Sequence, residues 1–434
     1  MKMTRARLDG LYCLLFGSIV FIVLGVALVC SSKDPVVDFG VVYDPARCLI
    51  QHCDPYNAAE VLRVYQAEKV NHPLAAANER QVRAQYIYLP TAFLFTVPFA
   101  MLPWGPAHIL WITLTIGSLI FASLLIWDIG ADYAPIVSGV LLGFLLANSE
   151  VLVLLCNSAG ISISLCVVAV WCFLRGRFVP AGILCLAISL AIKPHDASLV
   201  WLYFLLAGGV NRKRALQTLL ATVILSLPAV LWVWHVAPNW MREWHSNVLA
   251  FSAQGGINDP SLAASLAHGR AGVINLQAAV SVFWDNPRIY NPVSYLVCGA
   301  LLLAGAVRAI RIRSSQPSAL LALASIAALS MLPVCHHIYD TKLLLLTVPA
   351  CAMLWAEGGP IRWIALLVTS AGLVSTGDVP LAILANLSND LHMNTVGVLG
   401  QILTVMLIRP TTIILLVISI FYLWVYLRRD PERG

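Results

Sequence analysis

Apolar runs of about 15–20 residues recur along this chain from end to end, and no other feature limits its fold as strongly. Each run is long enough, or nearly so, to cross a hydrocarbon layer of about 30 Å. Of the 434 residues, 60% are hydrophobic and 11% are charged, against about 25% charged in a soluble domain. Inside a bilayer every backbone polar group needs an internal partner, which leaves helical spans or a closed barrel. No stretch shows the two-residue alternation of barrel strands. The expected fold is all-α and polytopic: one integral membrane domain over residues 1–434, with about 11–13 transmembrane helices and external loops carrying short interfacial helices. The net charge of +6 does not point to nucleic acid, because the basic residues sit in short clusters between apolar runs. The partner implied by composition is the lipid bilayer.

Those clusters orient the chain. Lys2/Arg5/Arg7, Arg175/Arg177, Arg212/Lys213/Arg214, Arg308/Arg311/Arg313, Arg362 and Arg428/Arg429/Arg433 are assigned to the cytoplasm. The first span, about 11–30, then runs outward. It is read as a retained span and not a secretory signal, because the apolar run is long and no small residue precedes Cys30. External loops are expected at about 31–88, 237–291 and 378–395. Within the first, residues 57–83 are expected to form an amphipathic helix at the membrane surface. The proline-bearing run 89–103 is expected to dip into the membrane or lie in the interface without crossing. Arg409-Pro410 should break the last apolar run, 397–427.

This topology gathers five polar islands on the external face: 31–88, 150–159, 193–196, 237–291 and 335–342. Asp38 opens the first island, in Asp38-Phe39-Gly40-Val41-Val42-Tyr43-Asp44. A carboxylate held at headgroup level suits a general base acting on a membrane-proximal substrate; the plain alternative is a helix cap. Lys193-Pro194-His195-Asp196 joins two apolar runs. A cation there must meet an anion or snorkel to the interface, and a lipid phosphate is the natural anion. In Cys335-His336-His337-Ile338-Tyr339-Asp340-Thr341-Lys342, the histidines suit binding a phosphate oxygen or protonating a leaving group. No metal is expected, because adjacent histidines do not naturally aim at one ion and no Cys/His pair has zinc spacing. Trp240, Trp244, Phe251, Trp284 and Tyr290, among Asn247, Asn258 and Asp259, form either a saccharide surface or an interfacial aromatic belt. Most of the 11 cysteines lie in apolar runs as small hydrophobes. Cys48 and Cys53 lie in the external loop and can bridge only if the chain turns between them. No phosphate loop, dinucleotide fingerprint or nucleophile elbow occurs, and no cofactor is expected.

Asp38-Phe39, Tyr43, Asp54-Pro55-Tyr56, Tyr86-Ile87-Tyr88-Leu89-Pro90, Lys193-Pro194 and His337-Ile338-Tyr339-Asp340, in that order, resemble the motif set of glycosyltransferase family 87, a bacterial branch of the GT-C superfamily. The resemblance covers nearly the whole chain. It departs at Leu89, which replaces the first proline of a Tyr-x-Tyr-Pro-Pro segment, and at Gly160-Ile161-Ser162, the remnant of a Gly-Gln-x-Asn element. It implies a GT-C-like bundle in a bacterial inner membrane with its active site facing the periplasm or exterior. It implies inverting transfer of a sugar, a hexose such as mannose or else arabinose, from a polyprenyl-phosphate donor to a hydroxyl of a glycan or glycolipid acceptor. A lipid-linked donor also suits a face without ready access to nucleotide-sugars. Asp38 would take the acceptor proton; Lys193, His336 or His337 would hold the lipid phosphate; Tyr43, Tyr56, Tyr88, Tyr339 and Asp340 would contact substrate. A metal is not required in principle, since cationic side chains can stabilise the departing phosphate. The competing classes are a lipid or solute transporter, against which no internal repeat is seen, and an O-antigen ligase or polymerase, whose external loops are typically rich in Arg and His.

Overall fold

A computed structural model of the chain describes residues 4–32, 36–67, 85–261, 264, 273–311, 315–383 and 397–429. Among these the regular structure is helical with no strand, and one isolated antiparallel bridge pairs Ile274 with His336. Among the described residues six helices are long and apolar enough to cross a bilayer: Arg5–Ser31, Trp104–Gly130, Gly209–Val236, Pro287–Arg311, Ile338–Glu357 and Pro410–Arg428. Shorter apolar helices, including Pro135–Ala147, Ala159–Arg175, Val179–Ile192, Gln316–Leu329 and Ile361–Ser375, pack with them. Phe16, Val23, Leu220, Ile224, Leu231, Leu296 and Leu303 stand exposed on the long helices. Such surfaces suit lipid and not water. The chain is an all-α polytopic membrane protein.

The two ends of the bundle differ in chemistry. At one end Arg7, which opens the first helix, reaches Asp132 at 2.6 Å, and Arg175 binds the same carboxylate at 2.6 Å and Asp128 at 2.8 Å. Asp38 follows the far end of that first helix. Asn157 precedes the start of Ala159–Arg175, and Lys193 caps the C-terminus of Val179–Ile192. The polar islands therefore gather at the end away from the arginines.

The first helix lies against Pro135–Ala147 along a seam of glycines. A Cβ on Gly139 would fall 1.9 Å from the Gly10 carbonyl oxygen, and one on Gly17 would fall 2.1 Å from that of Gly143. Between apolar helices in lipid the hydrophobic effect offers little, so close backbone packing carries the contact.

Several sequence expectations are refined. Part of the expected loop 31–88 is a helix, Val37–Ile50. Its buried Phe39, Val42, Tyr43, Ala46 and Leu49 repeat with helical spacing, a period hidden by the polar residues between them. Arg212, Lys213 and Arg214 lie inside Gly209–Val236 and not in a connecting loop. There Arg212 donates to the Leu205 carbonyl at 3.2 Å and Arg214 to that of Phe173 at 2.8 Å, capping neighbouring helix ends. The run 89–103 contains a 3₁₀ turn, Pro90–Ala92, and the eight-residue helix Phe93–Ala100, about 12 Å long and too short to cross. The last apolar run does break at Arg409, between Gly397–Ile408 and Pro410–Arg428. Of 57–83, Ala58–Ala67 is helical with Val61, Val64 and Tyr65 buried; residues 68–84, and most of the 378–395 loop, lie outside the described residues. Cys48 and Cys53 form a disulfide with Cα atoms 5.1 Å apart. The helix stops at Ile50, and His52 turns the chain at φ 59°.

Candidate active site

Asp38 is placed by the start of its helix. Val36 takes a left-handed φ of 66°, uncommon for a β-branched residue, and its N–H donates to the Leu154 carbonyl at 2.7 Å. That bond docks the helix on Glu150–Leu155. The latter helix ends at Cys156, at φ 54°, whose carbonyl accepts from the Trp111 indole at 3.0 Å. The next residue is Asn157. Its Nδ2 donates to Asp38 Oδ2 at 2.8 Å, and its Oδ1 accepts from the Ala159 N–H at 2.9 Å and from Lys193 Nζ at 3.4 Å.

Lys193 is buried and forms an ion pair with Asp340 Oδ1. Its ammonium also stands 5.0 Å from the centre of the Tyr339 ring. The other Asp340 oxygen accepts the His337 N–H at 2.8 Å, fixing the start of the 3₁₀ helix Ile338–Leu346. His337 Nε2 meets Asn258 Oδ1 at 3.1 Å. A hydrogen-bonded path thus runs from Asp38 through Asn157 and Lys193 to Asp340, joining four segments distant in sequence.

Of the nine site residues expected from sequence, Asp38, Tyr88, Lys193, His337, Tyr339 and Asp340 line one cavity of about 460 Å³. Tyr43, Tyr56 and His336 do not line it. Tyr43 is five residues beyond Asp38 on the same helix, about 140° around it, and its hydroxyl donates to the Leu102 carbonyl at 2.9 Å. Tyr56 donates to the Tyr88 carbonyl at 2.9 Å and packs 5.8 Å from the Trp240 ring, so it supports Tyr88 from behind. Trp240 is buried in that packing, whereas Trp244, Phe251 and Asn258 reach the cavity. Trp244 also donates to the Ile87 carbonyl at 2.8 Å. Exposed Trp284 and buried Tyr290 do not line the cavity.

Burial pushes the Asp38 carboxyl above the usual carboxylate range; the Asn157 hydrogen bond, and then the charges of His337 and Lys193, oppose the shift without cancelling it. Sequence reasoning did not assign Asn157. The signal was an Asn-Ser pair between two apolar runs, three residues before the Gly160 segment, and such pairs are common as plain caps. His195 lines the cavity, and its Nε2 lies 3.6 Å from Asp196 Oδ1. His336 Nε2 lies 3.7 Å from the same oxygen. These three residues could together hold a metal ion. Cys48 and Cys53 also cluster with Glu60, but their sulfurs are joined in the disulfide.

Fold and cavity together define a polytopic membrane protein with a built polar site at one end of its bundle. The sequence profile of glycosyltransferase family 87 matches residues 86–335, more than half of the chain. The chain belongs to that family and is a glycosyltransferase. Asp38 and residues 337–340 flank the matched stretch. No curated protein and no solved structure matches the chain.

Proposed function

We propose that this glycosyltransferase uses a polyprenyl-phosphate sugar and transfers the sugar, with inversion, to a hydroxyl of a glycan or glycolipid at the external face of a bacterial inner membrane. The observation that supports this most is the sharing of one cavity by the Asp38 carboxylate and the cationic or protonatable pair Lys193 and His337, with the second carboxylate there, Asp340, paired to Lys193. Inversion by direct displacement needs a base for the acceptor on one side of the sugar and charge stabilisation for the leaving phosphate on the other. Asp38 accepts the hydroxyl proton as that oxygen bonds to the anomeric carbon. The bond from that carbon to the phosphate oxygen breaks, and the electron pair leaves with the lipid phosphate. His337 and Lys193 receive the anion, with Asp340 holding Lys193 at the wall. Tyr88, Tyr339 and Trp244 offer ring faces and hydroxyls to the sugar. A hexose such as mannose is the favoured cargo. The transporter reading loses its footing once the chain is placed in a glycosyltransferase family.

The test is transfer from a radiolabelled polyprenyl-phosphate sugar by detergent-purified protein. Asp38→Asn keeps shape and most hydrogen bonding, and should fold normally yet lose about 10²–10⁴-fold in rate. Asp44→Asn and Asp54→Asn should lose less or fail to fold: Asp44 is buried, and Asp54 Oδ1 caps the Tyr56 N–H at 2.9 Å. Near-normal turnover in Asp38→Asn would place the base elsewhere.

A further inference from the structure

His336 and His337 are adjacent, yet they serve different surroundings. His337 faces the cavity. His336 points into the protein, its side chain 1% exposed, toward Asp196, also 1% exposed. The His336 backbone is pinned on both sides: its carbonyl accepts from Ile274 N–H at 2.7 Å, and its own N–H donates to the Ile274 carbonyl at 3.1 Å. Its ring is fixed as well. Nδ1 lies 3.0 Å from the Val334 carbonyl oxygen, and a carbonyl only accepts, so the proton is on Nδ1. In the neutral imidazole that leaves a lone pair on Nε2.

The lone pair is aimed at another acceptor. His336 Nε2 and both Asp196 oxygens are buried without a hydrogen-bond partner. Two acceptors 3.7 Å apart are too distant to share a proton, since an N–H···O bond spans about 2.7–3.2 Å. Unmet buried acceptors of this kind are costly. His195 Nε2 adds a third nitrogen or oxygen atom 3.6 Å from Asp196 Oδ1, and the three ligand atoms lie within 4.8 Å of one another. A tetrahedral ion with bonds of about 2.0–2.1 Å holds its ligands roughly 3.3–3.5 Å apart, close to the 3.6 and 3.7 Å that separate the two imidazole nitrogens from Asp196 Oδ1.

We propose that His195, His336 and Asp196 bind one divalent transition metal ion, zinc being the best match to two imidazoles and a carboxylate. The His336 Nδ1 bond to Val334 is the usual outer contact of a metal-bound imidazole. Charge agrees. Lys193 lies 3.9 Å from Asp196 Oδ2 but is engaged by Asp340, so Lys193, Asp196 and Asp340 leave one net negative charge. A divalent ion turns that into one net positive charge beside the cavity. His195, with a side chain 37% exposed, also lines the cavity, so the fourth coordination position opens in that direction. Where this rests on the transfer reading above, that position receives an anionic phosphate oxygen of the donor.

The test needs no sugar substrate, so its failure is distinct from failure of the transfer reading. Full-length protein, purified without chelator, is titrated with Zn²⁺ or Co²⁺ and measured by elemental analysis, visible absorption and thermal unfolding. The expected result is one zinc per chain, the d–d bands of four-coordinate Co²⁺, and a higher unfolding temperature with metal. His195→Ala removes the most exposed ligand and Asp196→Asn keeps the shape; each should weaken Co²⁺ binding by at least about tenfold. His195→Ala guards against misfolding of the buried variant. Absence of stoichiometric metal and of the cobalt bands in wild-type protein overturns the proposal. So does metal binding that is undiminished in His195→Ala.

Discussion

Asn157 joins the two halves of the site, donating from its amide nitrogen to Asp38 and accepting at its oxygen from Lys193. This makes the acidity of Asp38 adjustable from a residue that need not touch the reacting atoms. A general base works only when deprotonated, and Asp38 titrates above the ordinary carboxylate range because it is buried. The rate should therefore fall with decreasing pH at a higher pH than a solvated aspartate would give. Asn157→Ala removes a bond that favours the charged form, so the acid limb of kcat/KM against pH should move further upward. A limb that stays in place in Asn157→Ala would show that Asp38 does not set it. Asp38, Lys193 and Asp340 were legible in the sequence because isolated charges beside apolar runs demand an explanation. Asn157 was not, since an amide in a turn looks like a cap. Tyr43 and Tyr56, which the resemblance placed against substrate, do not line the cavity: helix geometry turns Tyr43 away and packing fixes Tyr56.

Among the elements, the Arg5–Ser31 helix and its partner Pro135–Ala147 are the most demanding pair. Their glycines bring backbone against backbone, so no side chain can yield. Gly139→Val should lower stability by about 1–3 kcal/mol or more, the usual result of overpacking, and reduce the yield of monodisperse protein. Gly117→Val, where nothing lies within 4 Å, is the control and should behave as wild type in a thermal unfolding assay. Equal unfolding temperatures for the two variants would refute the close crossing. The long apolar helices were readable from hydropathy alone. Val37–Ile50 was not, because Asp38, Asp44 and Arg47 interrupt its apolar residues, and Asp44 is nevertheless buried with them. The 3₁₀ helix Ile338–Leu346 escaped for a related reason: a polar island looks like a loop until Asp340 is seen capping the His337 N–H.

For the whole molecule, the separation of arginine pairs from the polar cavity is the property to test. A reporter fused after Arg177 or Arg214 should read cytoplasmic, and one within 240–256 external. A cytoplasmic reading at the second position would invert the proposed sidedness while leaving the helical fold intact. The disulfide between Cys48 and Cys53 favours the same orientation, since such bonds persist in oxidising compartments. Sequence order alone could not say that residues 38, 157, 193 and 340 meet, because the assembly depends on helix packing between distant segments. That distance has a consequence for biogenesis. Lys193 and Asp340 are separated by 147 residues, and at about 5–20 residues per second synthesis needs roughly 7–30 s to supply the second partner. During that interval the lysine at the end of Val179–Ile192 lacks Asp340, and the carboxylate left to it is Asp196, 3.9 Å away in the finished fold. Until residue 340 is made, the cavity wall that Lys193 and Asp340 form together is therefore incomplete.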